Sequence, residues 1–239
     1  MLFRSTALQP IGQTDDWLDC AVPTAALRRG MNRFGFRLAP LPPPSGQAET
    51  WGFRYDGGSI PAAPWACDSR SPRTVAEVQD GALLIADRGT ESGDFRYYRA
   101  NWCMGVGAGA VIEARLKVVS GVSSVIFGNG ETGQRLRFYP DRIELYHDLT
   151  HRVDMDTTSA FHTYRIEIDG DDLTVFVDGE RRIEGTGCFR QGRTRYPNQV
   201  AFGAANSPEL GEALWEYVRA STASAGIIDL VVSVDYPQP

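Results

Sequence analysis

The stretch Phe161-His162-Thr163-Tyr164-Arg165-Ile166-Glu167-Ile168-Asp169-Gly170, continuing through Leu173-Thr174-Val175-Phe176-Val177-Asp178-Gly179-Glu180, decides the reading of this chain. Apolar and polar residues alternate along both halves, which is the period of a strand with one face against a core. Gly170 and the pair Asp178-Gly179 fall where the chain must reverse, and Asp-Gly supplies the positive φ of a tight hairpin turn. An isolated hairpin is marginal in water, so its apolar face has to be covered by further strands.

Those strands are present on both sides. Residues 74–79 and 82–87 flank an Asp80-Gly81 turn, and residues 95–100 follow as another strand. Segments 111–119, 122–127, 134–139 and 142–146 succeed one another across short turns as a meander. Segments 161–168, 173–177 and 181–184 make a second meander, and 200–204, 214–221 and 227–234 complete the set. Nothing from residue 50 onward keeps the 3.6-residue period for three turns, so helices are expected to be few and short. The expected fold class is all-β: one two-sheet antiparallel sandwich over residues 46–239, a size such sandwiches reach as single domains.

Residues 1–45 read differently. Leu41-Pro42-Pro43-Pro44-Ser45-Gly46 lacks amide donors and is stiff, which suits a spacer better than a strand. Upstream of it, residues 22–38 read as a helical turn, a glycine-containing turn and an alternating strand. A lone strand cannot bury its own apolar face. It therefore either adds to the main sandwich or is the tail of a preceding β domain in a longer parent.

The net charge of -6 argues against a nucleic-acid partner, which needs clustered Lys and Arg. No apolar run approaches the ~20 residues that cross a bilayer, and the N-terminus lacks the layout of a signal peptide. No membrane partner is expected, and an extracellular or periplasmic setting is expected only as part of a longer exported protein. Cys20, Cys67, Cys103 and Cys188 are widely spaced, without a C-x-x-C pair; one or two disulfides and buried free thiols are both open.

The quoted hairpin resembles a His-x-Tyr-Arg-Ile, Gly, Leu-x-Val-x-Val-Asp-Gly phrase carried on two adjacent strands by laminin G-like and concanavalin A-like lectin/glucanase sandwiches. Residues 109–118 look like that family's early core strand. Leu214-Trp215-Glu216-Tyr217-Val218-Arg219 looks like the late strand of bacterial members fused to sialidase-like or other glycan-degrading modules. Residues 22–38 resemble the closing segment of a galactose-binding-like jelly roll. The resemblance implies a jelly-roll sandwich and a glycan ligand, with a carbohydrate-recognition or accessory module of a bacterial glycan-processing protein as the leading function. A glycoside hydrolase or polysaccharide lyase on the same fold, and a structural or protein-binding domain, are the alternatives.

Hydrolysis needs two carboxylates flanking one bond, and the glucanases' Glu-x-Asp-x-x-Glu strand is absent. Glu113 and Glu144 each offer one carboxylate beside a basic or aromatic residue; Glu113 is the candidate acid, but the polar face of a strand whose Ile112, Ala114, Leu116 and Val118 face the core explains it better. The lyases use histidine, tyrosine and arginine. Here Tyr139 and His147 are candidates and His147-Asp148-Leu149-Thr150-His151-Arg152 reads as a loop, but the lyase strings Arg-Thr/Ser-Glu, Gln-Ile/Val-His and Tyr-x-Lys-Ala-Gly-x-Tyr are missing. No cofactor is required by this reading. Calcium is open, because Asp169, Asp171 and Asp172 offer hard oxygen ligands on a turn that backbone preference also explains.

A sugar site combines aromatic rings with groups that hydrogen-bond hydroxyls. Alternation puts Arg135, Arg137 and Tyr139 on one face and Trp215, Tyr217 and Arg219 on another. Tyr97, Arg99 and Trp102 form a third set, and Arg115 a further cation. Meeting on one concave sheet, they would make an arginine-rich groove for an oligosaccharide or polysaccharide, suited to an acidic one. The same alternation suits Trp215 and Tyr217 as core residues, with the arginines exposed.

Overall fold

The computed structural model describes residues 51–222 except 70, 90–92, 103, 191–195 and 205–208, together with the backbone of four strands at 9–14, 17–21, 30–36 and 230–236. The proline cluster, the expected helical turn before residue 30, Cys103 and most of the loop at 190–198 lie outside the described residues. The chain forms two compact units, 39–226 and the pair of segments 1–38 and 227–239.

In the smaller unit β1 (Gln9–Thr14) pairs with β2 (Trp17–Ala21). β3 (Gly30–Phe36), the strand read from the alternation upstream of the prolines, pairs with the last strand of the chain, β19 (Leu230–Tyr236). The C-terminal strand, expected inside the sandwich, is therefore built into the unit that contains the N-terminus.

The larger unit is the expected antiparallel sandwich. Its strands are β4 (Phe53–Tyr55), β5 (Ala66–Ser69), β6 (Thr74–Gln79), β7 (Ala82–Asp87), β8 (Arg96–Asn101), β9 (Ala110–Gly121), β10 (Ser123–Gly128) and β11 (Gly133–Tyr139). They continue as β12 (Arg142–Leu145), β13 (Asp148–Asp154), β14 (His162–Asp169), β15 (Asp172–Val177), β16 (Glu180–Gly185), β17 (Gln199–Ala204) and β18 (Gly211–Thr222). One sheet has the order β13-β12-β11-β10-β17-β8-β5; the other has β16-β15-β14-β9-β18-β7-β6, with β4 also paired to β18. A three-residue 3-10 turn, Cys188–Arg190, is the helical element among the described residues.

The turns behave as their residues dictate. Asp80 and Gly81 have φ of 49° and 82°, and Asp178 and Gly179 have 51° and 84°, the two successive positive values of a type I′ hairpin. Between the sheets lies one core. Ile112, Ala114, Leu116 and Val118 of β9 and Tyr164, Ile166 and Ile168 of β14 point into it. Phe202 on β17 is its hub, with ring centroids 5.1–5.8 Å from Tyr55, Trp65, Tyr98 and Trp215. Aromatic pairs of this kind contribute about 0.5–1.5 kcal/mol each beyond their buried area.

Strict alternation fails at one place in β18. The pairing with β9 shifts between Trp215 and Tyr217, so Glu216 is the extra residue of a bulge. Trp215 consequently points inward, fully buried, while Tyr217 and Arg219 point outward. The shared face expected for these three is corrected by that single residue.

Candidate functional site

The outer face of the seven-stranded sheet is laid out by register. One row across it reads Tyr97, Gly203, Ser124, Arg137, Glu144 and Arg152. The next reads Arg99, Ala201, Ile126 and Arg135, with the Tyr146 amide donating to the Arg135 carbonyl at 2.9 Å. Part of this face is covered: Phe95, Tyr97, Ile126, Tyr196 and Ala201 form a second small core upon it. Gly203 is demanded by the packing, since a Cβ there would collide with the Arg96 carbonyl.

At the β11–β12 side the face opens, and rings and guanidiniums alternate. Arg142 lies 3.7 Å from the Tyr139 ring centroid and Arg137 4.9 Å from it; Arg137 is 5.0 Å and Arg135 4.9 Å from the Tyr146 ring. Carboxylates tie this ladder down. Arg137 Nη2 donates to Glu209 Oε1 at 2.6 Å and its Nε lies 3.7 Å from Glu144 Oε1. Arg142 donates to Glu144 and to Asp141, each at 2.9 Å. Arg137 is thus buried, where exposure was expected, because two carboxylates and two rings enclose it. A cleft of about 560 Å³ borders the ladder, lined by Tyr139, Arg142, Glu209 and Leu210 with Gly121 and Val122.

Behind the ladder several polar atoms are buried without a hydrogen-bond partner: Tyr97 Oη, Ser124 Oγ, Arg135 Nε and Arg137 Nε. The Ser124 hydroxyl approaches the Tyr97 phenol, whose pKa is raised by burial and pulled back by Arg135, Ser124 and Arg137. Unsatisfied buried polar groups each cost about 1–3 kcal/mol, and here the Tyr97–Ser124 approach and the Glu144 carboxylate 3.7 Å from Arg137 Nε offset part of that cost. His147, next to Tyr146, has its pKa lowered by burial and by Arg135.

The remaining sequence candidates are dispersed. Glu113, Arg115, Tyr217 and Arg219 stand on the outer face of the other sheet, on the far side of the core. There Arg115 donates to Glu216 at 2.5 Å, Arg219 to Asp56 at 3.1 Å, and Arg165 lies 3.9 Å from Glu113. Trp102 and Trp215 are in the core, Trp102 donating to the Gly128 carbonyl at 2.8 Å. The three sets therefore do not meet in one groove: of the candidates, Tyr97, Arg99, Arg137 and Tyr139 share a face, and Glu113 cannot act with Tyr139 or His147. The stretch read as a histidine loop is edge strand β13, in which His151 Nδ1 sits 3.1 Å from Asp148.

At the β14–β15 turn Asp172 accepts the Gly187 amide at 2.8 Å. Among the described residues no group of three or more His, Cys, Asp or Glu is arranged to hold a metal. Cys67 and Cys188 are free thiols, with Cys188 pushed up to about 11, chiefly by burial. Glu144 and Tyr146 are legible in the sequence as a carboxylate beside an aromatic ring and Glu209 as part of an acidic loop, but nothing there joins them to this face, and Ser124 is not singled out at all. The signals that existed were Ser124 inside an apolar run and the alternation that joins Arg135 to Arg137.

No protein-family model matches the chain, and no curated protein matches it. Solved structures do. The cellulose-induced protein Cip1 is similar with a TM-score of 0.54 and 10% identity, over 71% of this chain and 96% of that one. The carbohydrate recognition domain of Emp46p is similar at 0.50 and 9%, over 72% and 98%. A sialidase aligns at 0.49 and 12% over 66% of this chain, which spans 17% of that protein. At these identities what is shared is the fold, the concanavalin A-like two-sheet jelly roll.

Proposed function

We propose that this chain is a carbohydrate-recognition module of a glycan-processing protein, binding an oligosaccharide or polysaccharide at the open part of the seven-stranded sheet. The observation that carries the reading is the arginine–tyrosine ladder beside a cleft. Guanidiniums supply donors for sugar hydroxyls, and tyrosine rings suit the apolar faces of sugars. The fold it shares with a carbohydrate recognition domain accords with this. Arginines on the face extend the partner class to acidic glycans. A bacterial, laminin G-like accessory module working outside the cytoplasm, as part of a longer exported protein, fits polymeric ligands.

The test is calorimetric titration of the chain with neutral and acidic oligosaccharides, with chromatography of each mixture. Saturable binding to intact sugar supports the reading; silence on every glycan overturns it in favour of a structural or protein-binding domain. A second reading, cleavage on the same face, is favoured by Glu144 and Glu209 contacting one guanidinium between them. Product release that vanishes in both Glu144→Gln and Glu209→Gln would establish it. Recognition in our reading needs no cofactor, so chelation by EDTA leaves affinity unchanged. A fall on chelation would assign calcium a part, with the turn at Asp169, Asp171 and Asp172 the first place to mutate.

A further inference from the structure

The ladder holds three guanidiniums, and their environments are not equivalent. Arg142 is bonded to Asp141 and Glu144, and Arg137 to Glu209 with Glu144 alongside. On the neighbouring strand Arg152 pairs with Asp154 at 2.7 Å. The pKa of His147 is held below the ordinary histidine value by burial and by Arg135 itself. Arg135 has no carboxylate within ion-pair distance among the described residues; its Nε is buried and unpartnered, and its guanidinium lies against Tyr146, which is 42% exposed. Arg99, the other cation of the face without a carboxylate among the described residues, stands three strands away, beyond the buried Ala201 and Ile126.

We infer that Arg135 reads one oxyanion, a carboxylate or a sulfate, on the bound glycan, while Arg137 and Arg142 are neutralised positioning residues that hold Tyr139 and Tyr146 in place. This rests on carbohydrate recognition at this face. The physical reason is asymmetry: a partly buried guanidinium without a counter-charge is a standing penalty, and an oxyanion relieves it with two parallel hydrogen bonds. Arg137 gains nothing comparable, because Glu144 and Glu209 already supply negative charge and would repel an incoming one. The ligand therefore carries one recognised negative group per bound segment, although the molecule as a whole has a net charge of -6.

The experiment titrates the full chain and its Arg135→Gln, Arg135→Lys and Arg115→Gln variants with uronate, sulfated and neutral oligosaccharides of equal length, after circular dichroism has shown which variants fold. The expected result is binding of a charged glycan about tenfold or more tighter than the neutral one, falling to the neutral level in Arg135→Gln. Arg135→Lys, which keeps the charge but loses the fork, falls partway and serves alone if the glutamine variant does not fold. Arg115→Gln, on the opposite face, leaves all affinities unchanged. The uronate and sulfated arms distinguish the two sources of the anion. Equal affinity for charged and neutral sugars, or a preference that survives in Arg135→Gln, overturns the inference while leaving recognition intact. No binding to any glycan overturns both.

Discussion

Trp215 and Arg137 show how position on a sheet, rather than residue type, decides what a side chain does. Trp215 looks like a sugar platform but sits fully buried against Phe138 and Phe202. Trp215→Ala is expected to lower stability by about 3–5 kcal/mol in urea unfolding. Trp215→Phe should leave glycan affinity unchanged, and a selective loss of affinity in that variant would return Trp215 to the site. His147 supplies a pH prediction. Its pKa lies below the ordinary histidine value, so between that lowered value and about 6.5 the unfolded chain binds the proton first. Stability from this residue is complete above that window and declines as the pH falls through it. Arg135→Gln removes one cause of the shift, and an NMR titration of the His147 ring should move upward; an unchanged titration would separate the two side chains. Asp148, held low by the Thr150 hydroxyl, adds a further loss at more acid pH, where its carboxylate protonates.

At the scale of elements, what could be read from sequence followed the strength of the alternation. β9, β14 and β15 are half-buried strands with clean patterns, and the Asp-Gly hairpins announced themselves through backbone chemistry. β13 did not, because this edge strand is only half-buried at Asp148, His151 and Val153, has no clear apolar period, and follows His147 with a second histidine, His151, as a loop would. β10 carried too little polarity for its outer face to be identified, since that face is itself covered. The bulge at Glu216 was invisible, because an inserted residue changes phase without changing composition. The same reasoning explains the site: alternation found the Arg135–Tyr139 face, but the pairing that brings Glu144, Tyr146 and Glu209 to it is tertiary. Two element-level outcomes follow. Gly203→Ala should cost about 1–3 kcal/mol, because its Cβ meets the Arg96 carbonyl, and a thermal melt without a downward shift would refute the packing. Asp178→Ala removes acceptors for the Thr163 amide and for His162, and should destabilise the β14–β15 hairpin by about 1–2 kcal/mol by the same measurement.

At the scale of the molecule, the sandwich is one continuous excursion between β3 and β19, a topology that residues 30–36 and 230–236 create by pairing across almost the whole chain. The sequence showed both strands but not that they were partners, since register between distant segments leaves no local trace. The excursion has its own core, so a chain limited to residues 39–226 should unfold cooperatively by circular dichroism; a non-cooperative melt would show that the sandwich depends on the smaller unit.

Where the chain enters and leaves that excursion, β4 lies against the end of β18, with Phe53 opposite Ala220. Tension applied through the two flanking segments would therefore load the ladder from one end, breaking rungs in succession rather than in parallel. In an optical trap the sandwich should give way by unzipping, at lower force than when gripped at its edge strands β13 and β5. Because β3 and β19 pair across the excursion, tension drawn through the chain's two ends reaches this corner only after that pair has parted, making the corner the second of two fuses in series.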